Sequence, residues 1–447
     1  MQKYKFQMKM ESKIDNFETT SIPRAVLSNA IPAIVSMMVV LIYNVADTFF
    51  IGQTGDAMQV AAVSLATPVF LLFMSVGTLY GIGGTSVISR SLGRSDGQHA
   101  KEVSSFCFWM SLFTGLAFIV IFLVCMDSIL TIIGTSNDTR ELTRSYLTIV
   151  AWGAPFVLIS TAFSNIVRAE GRSTEAMTGT LIGTVLNIVL DPVFILVLDI
   201  GISGAAWATV IGNVVATAYY IRLLIGPSSL LSISPRLLRF CGVIFREVFS
   251  IGTPACLQSV MMSVSSILLN MLLAVYGDLS LAAYGIAVKV LMVVTLLQMG
   301  LGQGIQPLLG YHFGAGKRQV FLSVMRFSNS VAIGMGVVLT LLCWWGSDAL
   351  VCLFIDSKEV QTMGVAYLKI LLVSGPILGL MFNYINALQA MGAARYSFIL
   401  SISRQGIIFI PCMLLFNVML GQIGLVWAQP IADVLSLFMS FWLFKRK

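Results

Sequence analysis

Two aspartates in the first half of the chain lie inside long apolar stretches, where a charge needs a chemical reason. Counted inward along a helix, Asp47 and Asp191 lie roughly 8–12 Å below the same end of their stretches, at a common depth. If these stretches cross a membrane, an ionised side chain there costs several kcal/mol unless it is paired, hydrated or protonated. No Lys or Arg of the first half lies at that depth to pair with them. The two carboxylates are therefore candidates for binding a proton or a small cation.

Three uncharged polar residues belong with these acids. Tyr43 is one helical turn from Asp47, Asn187 is one turn from Asp191, and Thr209 lies at a similar depth in a third stretch. Two carboxylates in one apolar cavity are expected to share a proton. Alternatively, carboxylate, amide and hydroxyl oxygens form a cage suited to sodium, a hard cation. A third interpretation, in which the aspartates only bind neighbouring helices, is less favoured because unpaired membrane acids are expensive.

The second half carries a different pair of charges. Arg404 and Asp433 lie at comparable depths in the last two apolar stretches. We predict a structural ion pair that stabilises this half, with a substrate contact as the alternative.

The elements that position these residues are predicted to be membrane-spanning helices. The 447 residues are 57% hydrophobic and 11% charged, against about 25% charged in soluble domains. Stretches of about 20 apolar residues or more indicate spanning helices rather than barrel strands. We predict twelve, at approximately 25–50, 58–88, 102–126, 145–167, 174–198, 203–224, 247–275, 281–309, 320–345, 360–388, 396–416 and 421–444.

The chain is also doubled. Identical residues recur in the second half at an offset of 221 positions. The matched pairs include Gly81 and Gly302, Gly83 and Gly304, Tyr146 and Tyr367, Pro155 and Pro376, and Asn165 and Asn386. Asp47 and Asp191 have no acidic counterpart. Doubling of an apolar chain is typical of secondary transporters, and six spans per half give both halves the same orientation. The predicted fold is an all-α polytopic membrane protein with two six-helix lobes, related by a pseudo-twofold axis along the membrane normal.

The net charge of +7 follows the expected topology. Basic residues cluster before the first span and after the even-numbered spans, so both termini are predicted to be cytoplasmic and the protein to lie in the cytoplasmic membrane. This placement gives no reason to expect nucleic acid as a partner. The predicted organisation is a cytoplasmic segment 1–22, a first lobe 23–224, a cytoplasmic linker 225–246 and a second lobe 247–447.

Five runs carry a family resemblance that extends over essentially the whole chain. They are IYNVADTFFIG at 42–52, GIGGTS at 81–86, RAEG at 168–171, LNIVLDP at 186–192 and GAAWAT at 204–209. The chain resembles the multidrug and toxic compound extrusion (MATE) family, in its DinF-like or MepA-like branch.

The resemblance implies export of amphipathic, often cationic drugs by alternating access, driven by entry of protons, sodium or both. It implies no cofactor, small organic substrates, the lipid bilayer as surroundings and a monomer. It places the coupling cation, including any sodium ion, at Asp47, Asn187, Asp191 and Thr209, with Tyr43 beside them. It also places a bend of the first helix at Pro32.

Other functions fit less well. A lipid-linked oligosaccharide flippase of the same superfamily is the nearest alternative, but it should carry cationic residues in its cleft, and few basic groups lie within these spans. An enzyme needs a clustered nucleophile and base or a set of metal ligands, which the sequence does not offer. We therefore predict a secondary active transporter and not an enzyme.

Overall fold

A computed structural model of the chain describes residues 21–53, 56–239, 242–355 and 357–446, and most of these residues are helical. The predicted cytoplasmic segment 1–22 lies outside the described residues except for its last two. The helices of the first half are α1 (Ile22–Gly52), α2 (Ala57–Gly93), α3 (Gly97–Ile132), α4 (Asn137–Ala169), α5 (Ser173–Pro192, continued by a π-helical turn Val193–Val197) and α6 (Ile202–Ile225).

A short 3₁₀ turn, Pro235–Leu237, lies between the halves. The helices of the second half are α7 (Gly242–Ala274), α8 (Asp278–Gly314), α9 (Arg318–Trp345), α10 (Ser347–Cys352), α11 (Lys358–Leu372), α12 (Gly375–Ala390), α13 (Ala394–Ile402, continued by a π-helical turn Ser403–Ile407) and α14 (Phe409–Lys445).

The twelve predicted spans are all present as helical segments of the described residues. Within the described ranges, ten helical segments are long and apolar enough to cross a membrane, and α11 with α12 forms an eleventh span, bent by 46°. Pro376 in the first turn of α12 accounts for this break, since proline cannot continue the hydrogen bonding of the preceding helix. The last of these ten apolar segments, Ala394–Lys445, has 52 residues and comprises α13, its π-helical turn and α14. It contains two spans, because Gly421 interrupts it with a non-helical conformation.

Several helices are longer than their apolar stretches. α2, α3 and α8 run 36 or 37 residues, which is about 55 Å against a hydrocarbon thickness of about 30 Å. The N-termini of α2 and α3 are each capped by an aspartate side chain that accepts a hydrogen bond from a free backbone N–H group. For example, Asp96 accepts a hydrogen bond from the His99 N–H at the start of α3.

A glycine turn is repeated in both halves. Gly201 precedes α6 with φ 58° and ψ −138°, and Gly421 has φ 61° and ψ −139°. The two residues correspond at an offset of 220. A positive φ of this kind strains any residue with a Cβ atom, so the sequence repeat preserves glycine at the entry to the last span of each half.

The described residues form two compact units, and the boundaries between these units do not fall in the predicted linker. The first contains Met38–Gly252, and the second contains Thr20–Met37 together with Thr253–Lys447. The beginning of α1 therefore belongs to the second unit and the beginning of α7 to the first. The predicted linker 225–246 lies wholly within the first unit.

A pair of corresponding glycines allows the start of α1 to pack closely on α8, and the start of α7 to pack closely on α2. In the second unit, a Cβ atom on Gly304 of α8 would lie only 2.6 Å from the Cα of Ala30 in α1. In the first unit, a Cβ atom on Gly83 of α2 would collide with the backbone of Val248 in α7. Gly83 and Gly304 correspond at the offset of 221. Glycine at both positions permits the close approach of two helix backbones.

Candidate functional site

The predicted cation site is formed within the first unit by three helices. α1 carries Tyr43 and Asp47, α5 carries Asn187 and Asp191, and α6 carries Thr209. Asn187, Asp191 and Thr209 are 3%, 0% and 4% exposed, while Tyr43 and Asp47 are half-buried. The structure therefore places all five residues of the prediction in one unit, with the α1 pair on its more accessible side.

Asn187 connects α5 with α6. Its amide satisfies more partners when Nδ2 donates to Asp191 Oδ2, at 3.1 Å, and Oδ1 accepts from the Thr209 N–H, at 2.9 Å, and from its hydroxyl, at 3.2 Å. Tyr43 Oη lies 3.5 Å from the same Thr209 Oγ1. These contacts link α1, α5 and α6 through neutral groups and leave the carboxylates with acceptor capacity.

The Asp191 carboxylate is buried without full hydrogen bonding. Its Oδ1 has no hydrogen-bond partner among the residues that the structure describes. The next residue is Pro192, and α5 then continues as the π-helical turn Val193–Val197. Wide turns of this kind are frequent at functional sites because they change the direction of neighbouring side chains. Asp191 therefore retains an oxygen that a proton or a cation can occupy.

Asp47 supplies the second carboxylate. It forms neither a hydrogen bond nor an ion pair with any other residue in the described ranges. It lies close enough to Asp191 for the two charges to interact electrostatically. Two such carboxylates resist simultaneous ionisation, so a cation shared between them would relieve their repulsion.

Two further residues lie beside the site, and the sequence did not indicate either of them as part of it. The buried Tyr146 of α4 lies within electrostatic range of both Asp47 and Asp191. Asn213, one turn after Thr209, donates to the Thr209 carbonyl at 2.8 Å and accepts from Ser160 at 2.7 Å. In the sequence, Tyr146 stands out only because it matches Tyr367 in the second half, and such a match gives no reason to assign a residue to a site.

The charged residues of the second half meet in the second unit. Arg404 Nε donates to Asp433 Oδ1 at 2.9 Å, and Gln429 Nε2 donates to the same oxygen at 3.0 Å. The Arg404 guanidinium also lies over the Phe382 ring, 5.3 Å from its centroid. Arg404 and Asp433 are 6% and 2% exposed. Arg404 lies in the π-helical turn Ser403–Ile407, so each unit has such a turn beside its buried charge.

Pro32, the residue predicted to permit bending of α1, is buried in the part of that helix that belongs to the second unit. Its carbonyl accepts a hydrogen bond from Ser36 Oγ at 2.9 Å. Asp47 lies further along the same helix, in the part that belongs to the first unit. α1 thus connects the proline in one unit with the carboxylate in the other.

Comparison with known proteins gives one family and one fold. The family model MatE matches residues 32–193 and again 254–415. The multidrug export protein MepA of Staphylococcus aureus (strain MSSA476) is 32% identical over 94% of this chain and 92% of its own length. MepA of Staphylococcus haemolyticus (strain JCSC1435) is 31% identical over 96% and 94%. A solved outward-facing structure of a multidrug resistance MATE family transporter of the MOP superfamily has a TM-score of 0.92 at 23% identity, with 97% of each chain covered.

Proposed function

Because the chain belongs to the MATE family, we propose that it exports amphipathic, often cationic drugs in exchange for entering protons, sodium ions or both. It is a multi-pass membrane transporter and not an enzyme. Its curated relatives are named as multidrug export proteins, which disfavours an oligosaccharide flippase. We also propose a monomer in the cytoplasmic membrane with both termini in the cytoplasm, based on the distribution of basic residues.

The observation that supports coupling is the pair of acids in the first unit. Asp47 and Asp191 interact with each other, and neither has a basic partner in the described part of the chain. An ionised membrane carboxylate without such a partner is costly, so a bound cation would stabilise the site. The site can therefore exist in an occupied and an empty form that differ in charge, which a gradient-driven exchanger requires.

The two cations would use the same atoms differently. A proton would neutralise one carboxylate, with Asp191 Oδ1 as the buried oxygen that has no hydrogen-bond partner in the described part of the chain. A sodium ion would bind both carboxylates together with the neighbouring amide and hydroxyl oxygens of Asn187 and Thr209. In either case, each positive charge that moves inward releases about 2.3 kcal/mol of free energy per 100 mV of membrane potential, and this free energy can drive export.

We propose that Pro32 couples this site to movement of α1. A proline inside a helix removes one backbone hydrogen bond and permits a bend. Because α1 passes from the second unit to the first between Met37 and Met38, a bend near Pro32 would change how its Asp47 end packs in the first unit. Neutralising Asp47 would remove the cost of burying its charge and so change the balance between a straight and a bent α1.

We propose a structural role for the Arg404–Asp433 pair. Each member is buried, they are 2.9 Å apart, and Gln429 donates to the carboxylate as well. Removing one member of such a pair leaves an uncompensated charge, so the pair is costly to break even though it adds little stability by itself. In the second unit, the charge of Asp433 would then be neutralised permanently by Arg404.

Transport in proteoliposomes tests the proposed function. Vesicles that contain the purified protein and a fluorescent organic cation would receive a pH gradient or a sodium gradient in separate experiments. We expect one gradient or both to accelerate transport of the dye, and ionophores that dissipate the gradient to abolish the acceleration. Dye transport that is insensitive to both gradients would refute cation coupling.

A further inference from the structure

A buried carboxylate outside the cation site lies immediately after α4. Glu170 is 2% exposed and belongs to the loop between α4 and α5. None of the transport steps proposed above uses it. A buried carboxylate requires hydrogen-bond donors, and the identity of those donors indicates what Glu170 does.

The donors come from the linker, about sixty positions further along the chain. Glu170 Oε1 accepts from Ser229 Oγ at 2.6 Å, from the Leu231 N–H at 2.8 Å and from the Leu230 N–H. Arg172 adds a charge 3.8 Å from Oε2. Successive backbone N–H groups that converge on one oxygen form an anion-binding nest. Glu170 thus supplies the anion for a nest that the linker forms.

Apolar and polar contacts extend this attachment along the linker. The side chains of Leu230 and Leu231 are 1% and 3% exposed. From α3, Trp109 Nε1 donates to the Ile233 carbonyl at 3.1 Å, and Ser105 Oγ donates to the Ser234 carbonyl at 2.8 Å. Contacts with Glu170 and α3 therefore hold residues 229–231, 233 and 234 of the linker within the first unit.

The same surface of α3 also binds the far end of the linker and the start of α7. Glu102 pairs with Arg239 at 3.5 Å, and His99 Nε2 lies 2.9 Å from Glu247 Oε2. All of these residues belong to the first unit, which continues in α7 as far as Gly252. Both ends of the linker are therefore held by one unit, and the chain passes to the second unit inside α7.

The sequence repeat indicates that Glu170 serves the linker and not the helices around it. At the offset of 221, Asn165 and Gly171 are retained as Asn386 and Gly392, whereas Glu170 is replaced by Met391. A thioether accepts hydrogen bonds only weakly. The carboxylate is thus present only in the half that the linker follows.

We propose that Glu170 is a positioning residue that fastens residues 229–231, so that the linker is a fixed clasp of the first unit and not the hinge between the two halves of the transporter. Burial raises the pKa of the Glu170 carboxyl, while the linker donors and Arg172 stabilise its ionised form and oppose that shift. The clasp holds the beginning of α7 to the first unit, so the chain passes to the second unit within α7 and not in the linker.

Hydrogen exchange measured by mass spectrometry tests this proposal without altering the transport site. The reporting peptide spans 229–234, where the Leu230 and Leu231 amides lie outside any helix. We expect these two amides to exchange slowly in the wild-type protein. Glu170→Met, which introduces the residue of the other half, should accelerate their exchange about tenfold or more. Glu170→Gln retains an acceptor oxygen and should give an intermediate rate.

The controls separate loss of the clasp from loss of the fold. Glu175→Gln removes a neighbouring half-exposed acid that binds Arg172 and should leave the peptide unchanged. Ser229→Ala removes one donor and should accelerate exchange less than Glu170→Met, and it provides a second test if Glu170→Met does not fold. Rapid exchange of these amides in the wild-type protein would overturn the proposal. So would unchanged protection in Glu170→Met, or acceleration spread equally over peptides of α4, α5 and α6.

Discussion

Each half has a buried carboxylate in one of its last two spans, Asp191 in the first half and Asp433 in the second, but the surroundings of the two charges differ. In the first unit Asp191 is fully buried, and it has no ion-pair partner in the described ranges. In the second unit Asp433 is paired with Arg404 at 2.9 Å. Under the proposed function, the first unit keeps its buried charge available for exchange with a cation, whereas the second unit neutralises its own by an ion pair.

Residues at corresponding positions of the two halves show how the surroundings of the buried charge differ. At the offset of 220, Thr209 and Asn213 of α6 fall on Gln429 and Asp433 of α14. In the first unit, the Asn213 amide donates to the Thr209 carbonyl, at 2.8 Å. In the second, the Gln429 amide donates to the Asp433 carboxylate, at 3.0 Å. Each half therefore connects these two positions by an amide hydrogen bond, and only the second half adds the carboxylate and its arginine.

Neutralising the first-unit acids should have the largest effect on transport. We expect Asp47→Asn and Asp191→Asn each to abolish gradient-driven efflux, because an amide cannot exchange a proton or attract a cation. Insertion and thermal stability should change little, since neither substitution removes a described ion pair. Dye efflux from cells and proteoliposomes, with stability measured in detergent, checks both statements.

Asp127→Asn is the matched control for these variants. Asp127 also lies in the first half, but its side chain is exposed and pairs with Arg140 and Arg144. Exposed ion pairs contribute little, so this variant should transport normally. Wild-type efflux in both Asp47→Asn and Asp191→Asn would contradict the assignment of the coupling site.

Breaking the second-unit pair should instead affect stability. We expect Asp433→Asn to destabilise the protein by about 3–5 kcal/mol, because it leaves the buried Arg404 guanidinium without a counter-charge. Arg404→Met combined with Asp433→Leu should recover much of that loss and retain efflux. Thermal denaturation in detergent, with Asp348→Asn as an exposed control, measures the effect.

The opposite outcome would identify a substrate contact. In that case Asp433→Asn would fold normally but lose resistance to some drugs and not to others. The double variant would then fail to restore transport of those drugs. A panel of resistance measurements beside the denaturation curves distinguishes the two roles.

Pro32→Ala is expected to have a smaller, kinetic effect. Restoring the missing backbone hydrogen bond should stiffen α1, so transport should slow several-fold while the affinity for substrate changes less. Pro254→Ala is the matched control, because this buried proline corresponds to Pro32 at an offset of 222. Equal losses in the two variants would favour a packing role for both prolines.

Tyr43→Phe should have the smallest effect. Its hydroxyl lies 3.5 Å from Thr209 Oγ1, at the limit of a hydrogen bond. Loss of such a contact is worth about 0.5–1.5 kcal/mol at most, so the apparent affinity for the coupling cation should fall by less than about tenfold. A cation titration of transport rate checks this, and complete loss of coupling would show that the tyrosine has a larger role.

The fold follows from local sequence features, which explains why it can be predicted. Length and hydropathy give the twelve spans, and the glycine and proline matches give the repeat. The five polar residues of the proposed cation site could be grouped by depth along their helices, because depth depends only on position in a span. The contact between Arg404 and Asp433 was expected on the same basis, whereas its structural role stays a prediction.

Other features depend on tertiary placement and have no local signal. The attachment of Glu170 to Leu230 and Leu231 relies on backbone N–H groups, which every residue except proline possesses. The position of Tyr146 near the two aspartates depends on how α4 packs beside α1 and α5. The assignment of the start of α1 to the second unit is likewise invisible, because a continuous apolar helix gives no sign of where its neighbours change.

Release of the coupling cation on substrate binding tests the contrast between the two units most directly. With purified protein in weakly buffered detergent solution, substrate is added while the released protons, or sodium ions, are counted. We predict release from the wild-type protein, none from Asp47→Asn combined with Asp191→Asn, and wild-type release from Arg404→Met combined with Asp433→Leu. Release that persists without the first-unit acids, or that disappears when only the second-unit pair is replaced, would contradict the account.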